Sequence, residues 1–550
     1  MWIKTLKRPL FVRPLQHAMA AMLAAAVGLS FAPMCYAQST AALPMLGDGG
    51  DMTSSAERSV GDHIAYSFYR DPDYLDDPVL DDYVWSIWRP LLQSSRTRGD
   101  LTADLDDHFA WQVLLVRNRT VNAFALPGGY MGVHLGLLAV VSDRDELASV
   151  LAHELSHITQ RHIARMFAKS GQQTPWLVGA MILGAIAASQ NADAGNALIM
   201  GSQALSVQNQ LNFSRDMERE ADRLGLGVMR DAGFVAQGFV TMFDKLQQAS
   251  RLNDSGAYPY LRSHPLTAER IADMQARIPL PSTSGATGTG LSPLASAPAA
   301  PATSADMVHA MMSARSRTLV NTASDALQTW LTQANDSSLS TQPVAVQAGV
   351  LYGAAMAAGR LRDMAHARLY VQRLRTQVAA HPAALQQACW LDLELTLDAR
   401  DRPPAALRTM MTEAGLDPTQ ASGTPPVRTE LMLQAQLALQ INADTLTAWA
   451  AGRLQSWVVD HPKDATAWQW LSSLYTAQGQ DLRALRASAE TCVARLDYTA
   501  ALDRLKAAQQ RARLPRPGGV TAKTDYIEAS IIDARYRQIT QLVNEQAPAP

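Results

Sequence analysis

Leu151-Ala152-His153-Glu154-Leu155-Ser156-His157 decides how the rest of this 550-residue chain is read. It contains His-Glu-x-x-His. On a helix, residues four apart lie on one face, so His153 and His157 can aim two imidazoles at one metal ion. Glu154 projects beside them, where a carboxylate can take a proton from a metal-activated water. Leu147, Val150, Leu151, Leu155 and Ile158 flank the motif. A helix that turns two histidines and a glutamate inward among aliphatics needs a reason to bury polar groups, and a surface helix with chance histidines supplies none. Zn2+, one ion per chain, is the expected cofactor, and Glu154 the expected general base.

A catalytic zinc takes three protein ligands and keeps one position open. The third is expected from Ser214-Arg215-Asp216-Met217-Glu218-Arg219-Glu220-Ala221-Asp222. Glu218 and Asp222 stand four apart on an expected helix. Glu218 can ligate while Asp222 hydrogen-bonds a ligand histidine and fixes its orientation. Glu220 competes for the ligand role, but it points to another face from Asp222. His162 is five residues beyond His157 and so rotates off the ligand face, which leaves it a supporting role. His63, His108, His134, His309, His366, His381 and His461 carry no ligand spacing and read as structural or solvated.

Around the motif the pattern is that of a mixed domain. Trp111 to Val116, Val121 to Leu126 and Tyr130 to His134 read as strands, with Pro127-Gly128-Gly129 as a turn. Asp143 to Phe167 has helical apolar spacing without Gly or Pro and is expected as one helix. The chain is too long for one core and implies two to four domains. Hydrophobic residues at 47%, charged residues at 18% and a net charge of -2 describe a globular protein and exclude the basic footprint of a nucleic-acid binder.

Lys4, Lys7, Arg8 and Arg13 precede an apolar run from about Ala18 to Ala32, and Cys35-Tyr36-Ala37 offers small residues at a cleavage site. Residues 1–37 are read as a secretory signal cleaved after Ala37. Cys389 and Cys492 then remain, too few for a disulfide framework. Trp176 to Ala188 is apolar but too short to span a bilayer. It is read as a buried helix or apolar cover; the competing reading is a surface helix in peripheral contact with a membrane.

Residues 278–305 are rich in Pro, Ser, Gly and Ala and read as a linker closing a domain over 38–277. From 306 to 540 helix follows helix, in units of roughly 30–40 residues, before a tail at 541–550. Trp468, Leu471, Ser472, Tyr475, Gly479 and Ala484 sit near the spacing of tetratricopeptide repeats; an ordinary helical bundle is the alternative. The expected fold is therefore mostly α: an α+β zincin-type domain with a small sheet, followed by an α-solenoid of repeats.

His153-Glu154-Leu155-Ser156-His157 followed by Glu218-Arg-Glu-Ala-Asp222 resembles the gluzincin family of CAAX prenyl protease, HtpX and mitochondrial Oma. Asn122-Ala-Phe-Ala-Leu-Pro-Gly-Gly resembles the strand and turn upstream of that family's zinc helix. Ser263-His264-Pro265-Leu266-Thr267-Ala268-Glu269-Arg270 resembles its His-Pro-x-x-x-x-Arg segment. With a secretion signal and C-terminal repeats, the whole is similar to the BepA (YfgC)-like group of periplasmic metalloproteases. The resemblance implies a periplasmic endopeptidase, associated with the outer membrane, that acts on unfolded or stalled outer-membrane proteins. It further implies contact with the β-barrel assembly machinery, chaperone-like work, and His264 as a regulatory fourth ligand. The other reading of His264 is a helix cap before Pro265. Substrate is expected to add as a strand beside Asn122, Ala123 and Phe124. The competing function is a repeat-based chaperone or adaptor with little proteolysis and a structural or latched zinc.

Overall fold

The helix that carries the motif forms because its start is capped and its body is apolar. Asp143 accepts hydrogen bonds from the Asp145 and Glu146 N–H groups at 2.9 and 2.8 Å, satisfying donors that a helix start leaves free. A computed structural model describes residues 52–169, 214–251, 257–278, 303–420, 425–514 and 523–546. The expected signal, the apolar stretch Trp176 to Ala188 and nearly all of the expected linker lie outside the described residues.

The motif helix runs Arg144–Thr159 and stops short of the expected end at Phe167. Arg161 takes a left-handed φ of 51°, and a second helix, His162–Lys169, begins beyond it. Helical spacing permits one continuous helix here but does not enforce it. The Arg161 guanidinium donates to Glu57 at 2.9 Å and to the Met52 carbonyl, which offsets the unfavourable backbone.

Strands β1 (Tyr74–Leu75), β2 (Gln112–Val116), β3 (Ala123–Leu126) and β4 (Tyr130–His134) form one sheet in the order β1-β2-β4-β3. β2 and β4 are parallel, from Gln112↔Tyr130 to Val116↔His134. β3 and β4 are antiparallel, from Ala123↔Val133 to Leu126↔Tyr130, so β3 is an edge strand. β1 was not expected, since two residues are too few to show alternation. Pro127–Gly129 makes the turn, with Gly128 at φ 72°, where a Cβ would lie 2.7 Å from the Arg58 Cα.

Arg215–Asp231 packs along the motif helix. A Cβ on Gly225 would sit 3.1 Å from the Ala152 carbonyl, so glycine lets the two backbones approach and brings Glu218 up to the motif.

Beyond residue 303 the described chain is a succession of helices, as expected for the second half. Val344–Arg360 packs on Met364–Gln377, and Ala465–Ala477 on Asp481–Ala494. Trp468, Leu471 and Tyr475 are buried, and Gly479 at φ 67° turns the chain between the latter pair. These helices are clasped to the first half by buried ion pairs. Arg315 lies 2.8 Å from Asp77 and 2.7 Å from Glu394, and it donates to the Tyr352 hydroxyl at 3.0 Å. Arg428 pairs with Asp464 at 2.8 Å and Asp76 at 2.7 Å. Asp82 accepts from the Thr429 N–H at 2.7 Å, at the start of the helix Arg428–Ile441. Cys389 and Cys492 are separate buried thiols. Among the described residues no helix is long and apolar enough to cross a membrane.

Candidate metal centre

Three elements bring four donors to one point. The motif helix supplies His153 and His157, the helix Arg215–Asp231 supplies Glu218, and the residue after the short helix Tyr260–Ser263 is His264. All four side chains are at most 2% exposed. His153 Nε2 lies 3.0 Å from His157 Nε2, 3.3 Å from His264 Nδ1 and 3.5 Å from Glu218 Oε2. Glu218 Oε1 lies 3.3 Å from His157 Nε2 and 3.0 Å from His264 Nδ1.

These separations test whether the residues fit a metal. Donors about 2.0–2.1 Å from a tetrahedral zinc stand roughly 3.3 Å apart, close to every edge just given. Three imidazoles and one carboxylate also form a donor set of the N/O type that zinc prefers. The residues present fit one zinc ion.

The surrounding polar groups orient these donors. His153 Nδ1 is 2.9 Å from Asp222 Oδ1, which fixes the ring with Nε2 toward the cluster. Arg270 donates from Nε and Nη2 to Asp222 at 2.6 and 2.7 Å. Its Nη1 lies 2.7 Å from Glu218 Oε2. His162 Nδ1 is 2.9 Å from His157 Nδ1, and His162 Nε2 is 3.1 Å from Glu220. Tyr260 stacks on His264 with ring centroids 4.5 Å apart.

The electrostatics suit a cation. Burial works against a charge on His153, but Asp222 and Glu218 outweigh it and hold the group up to about 9. Burial pushes His157 well below the ordinary imidazole range. Burial would also raise Glu218, yet the charge of His264 and the hydrogen bonds of all three histidines hold its carboxyl far below the usual range. The carboxylates that favour a proton at this point favour a metal cation there as well.

Glu154 lies against the same point. Its Oε2 accepts the Ala125 N–H at 2.9 Å, and its Oε1 is 3.4 Å from His264 Nε2. The Ala125 N–H belongs to the side of β3 turned away from β4, so the open edge of the sheet faces Glu154. Ala123 and Phe124 stand on that edge strand, and Asn122 immediately precedes it.

The structure thus gathers His153, Glu154, His157, Glu218, Asp222 and His264. Glu220 stays outside, paired with His162 and Arg165 at 3.1 Å. His162 stands nearer than a continuous helix allows, because the break at Arg161 swings it back against His157. Sequence reasoning gave Arg270 no role. Its signal was the fixed spacing from His264, but spacing alone does not reveal that one guanidinium grips two carboxylates from another helix.

Residues 100–278 match the model of Peptidase family M48. The chain is 32% identical to the beta-barrel assembly-enhancing protease of Escherichia coli strain K12 over 271 residues, 48% of this chain and 53% of that protein. It is 28% identical to the protein of the same name from Yersinia pestis over 503 residues, 91% and 92% of the two chains. It is 31% identical to the mitochondrial metalloendopeptidase OMA1 of Schizosaccharomyces pombe over 169 residues, 31% of this chain and 47% of that protein. The match thus spans about half the length of the Escherichia coli relative and most of the Yersinia pestis one.

Proposed function

We propose that the chain, whose residues 100–278 match the model of Peptidase family M48, is a zinc-dependent endopeptidase of the periplasm that cuts unfolded or stalled polypeptides during outer-membrane β-barrel assembly. The observation that carries this reading is the set of donor separations, 3.0–3.5 Å, beside a buried Glu154. A purely structural zinc has no use for a base at that place.

In this reading His153, His157 and Glu218 hold the ion, which supplies Lewis acidity toward a carbonyl oxygen and a water. Asp222 orients His153, and Arg270 restrains Asp222 and Glu218 together. Glu154 takes the proton of the attacking water and passes it to the leaving amine. An extended substrate adds along the open edge of β3, beside Asn122, Ala123 and Phe124. Strand addition recognises backbone more than side chains, which suits an enzyme for chains without fixed structure.

His264 supplies a fourth donor where water would otherwise bind, so cleavage requires it to withdraw. The helices beyond residue 303 act as tetratricopeptide-like repeats whose concave face recruits a protein partner, here the β-barrel assembly machinery. The names of the two beta-barrel assembly-enhancing relatives support that partner, and the N-terminal signal pattern supports the periplasm.

The presence of His264 among the donors favours one second reading, a chaperone or adaptor whose zinc stays latched. Zinc content and casein cleavage, measured side by side for wild type and Glu154→Gln, separate the two. If both bind about one zinc and only wild type cuts, the hydrolase stands. Zinc binding without cleavage by wild type or by His264→Ala supports the adaptor.

A further inference from the structure

The fold pairs its buried guanidinium groups with care. Arg270, Arg315 and Arg428 each meet carboxylates within 3.0 Å. A cavity of about 460 Å³ between the helices Ala465–Ala477, Asp481–Ala494 and Tyr498–Arg513 gathers guanidinium groups of another kind, exposed at Arg70 and Arg504 and half-buried at Arg495. Arg70, Arg495 and Arg504 line it, with Asp497 as the one carboxylate among the described lining residues. Asp497 is taken up by Arg70 at 2.5 Å and by the Ala500 N–H at 3.1 Å.

Among the described residues the other two arginines have no carboxylate partner. Arg495 is half-buried and has no side-chain hydrogen bond or ion pair among the described residues. Arg504 donates from Nε only to the Cys492 sulfur, at 3.0 Å, a weak acceptor. Ser488, also lining the cavity, makes no side-chain hydrogen bond among the described residues. Three cations facing one carboxylate give the cavity a net positive potential, and guanidinium donors at its water-accessible mouth stay open to an anion from solvent.

We propose that this cavity is a phosphate-binding site distinct from the metal centre, formed by Arg495, Arg504 and Ser488 and backed by Arg70. The charge selects phosphate. Two uncompensated guanidinium groups match an anion of about −1.5 to −2 better than a single carboxylate, and the Arg fork suits its oxygens. The cavity exceeds a bare phosphate and leaves room for the group it is attached to. A lipid headgroup and a soluble phosphorylated compound share this chemistry.

The test titrates inorganic phosphate into the purified full chain by calorimetry at constant ionic strength. In parallel the chain is floated with vesicles of phosphatidylglycerol or phosphatidylcholine. Wild type is expected to bind phosphate, and Arg495→Gln/Arg504→Gln to bind about tenfold or more weakly. Arg402→Gln/Arg408→Gln, equal in charge change but outside the cavity, is expected to bind as wild type does. Flotation with phosphatidylglycerol alone, lost in the cavity variant, identifies a headgroup; phosphate binding without flotation identifies a soluble ligand. Wild type that binds neither probe overturns the proposal. So does binding that survives in the cavity variant or falls equally in both double variants. Should Arg495→Gln/Arg504→Gln fail to fold, Ser488→Asp keeps both arginines, sets a carboxylate among them, and must weaken binding to the same degree.

Discussion

Replacing His264 by alanine removes a buried ring that touches three other groups of the centre. Its Nδ1 stands 3.0 Å from Glu218 and 3.3 Å from His153, its Nε2 is 3.4 Å from Glu154, and Tyr260 stacks on its face. A hydrogen bond to a charged partner is worth about 1.5–3 kcal/mol. The ring stacking adds roughly 0.5–1.5 kcal/mol. The closed arrangement therefore loses about 2–4.5 kcal/mol relative to one with His264 withdrawn. At about 1.4 kcal/mol per factor of ten, the ceiling on the gain in activity is roughly 30- to 1,500-fold if only the open form cuts. The assay is casein cleavage by wild type and His264→Ala, with zinc measured on the same samples. Unchanged or lower activity with about one zinc still bound rules out a latch at His264, because the fourth position would then be open without effect.

Glu154→Gln keeps the shape and removes the base, so zinc content should hold while cleavage falls about 10²- to 10⁴-fold in a single-turnover assay. Arg270→Met leaves Asp222 and Glu218 buried without their shared cation. Urea unfolding should show a loss of about 3–5 kcal/mol, and zinc competition an affinity about 10- to 100-fold lower. Arg315→Met should cost a similar 3–5 kcal/mol by stranding Asp77 and Glu394, and adding Asp77→Asn should recover part of it. Burial, aided by Asp76, Asp82 and Asp464 and opposed by Arg428, lifts the Asp81 carboxyl to about 7. The folded state then binds more protons than the unfolded one between the ordinary carboxylate range and pH 7, so this residue's contribution to stability is present in acid and lost as pH rises through 7. Asp81→Asn should accordingly stabilise at pH 8 and not at pH 4 in thermal melts, modestly, since the carboxylate is 24% exposed and water damps the charge.

Local pattern made some of this protein legible. His153, Glu154 and His157 follow from a period of 3.6 residues, and Glu218 and Asp222 from the same period on a second helix. The strands and the turn at Pro127–Gly129 follow from short apolar runs and from glycines. Such features need only neighbours within a few residues.

The tertiary structure decided what depends on distant partners. The break at Arg161, stabilised by Glu57 from a helix about a hundred residues earlier, returns His162 to the side of His157. Arg270 becomes a clamp only because Asp222 and Glu218 arrive from another helix. The clasps of Arg315 and Arg428 join segments hundreds of residues apart, and the unpaired charge of Arg495 and Arg504 is defined by which acceptors packing leaves out of reach. A side chain's spacing is a property of its own helix. Its partners are set by how separate helices dock, and burying apolar surface is satisfied by many sequences without naming those partners.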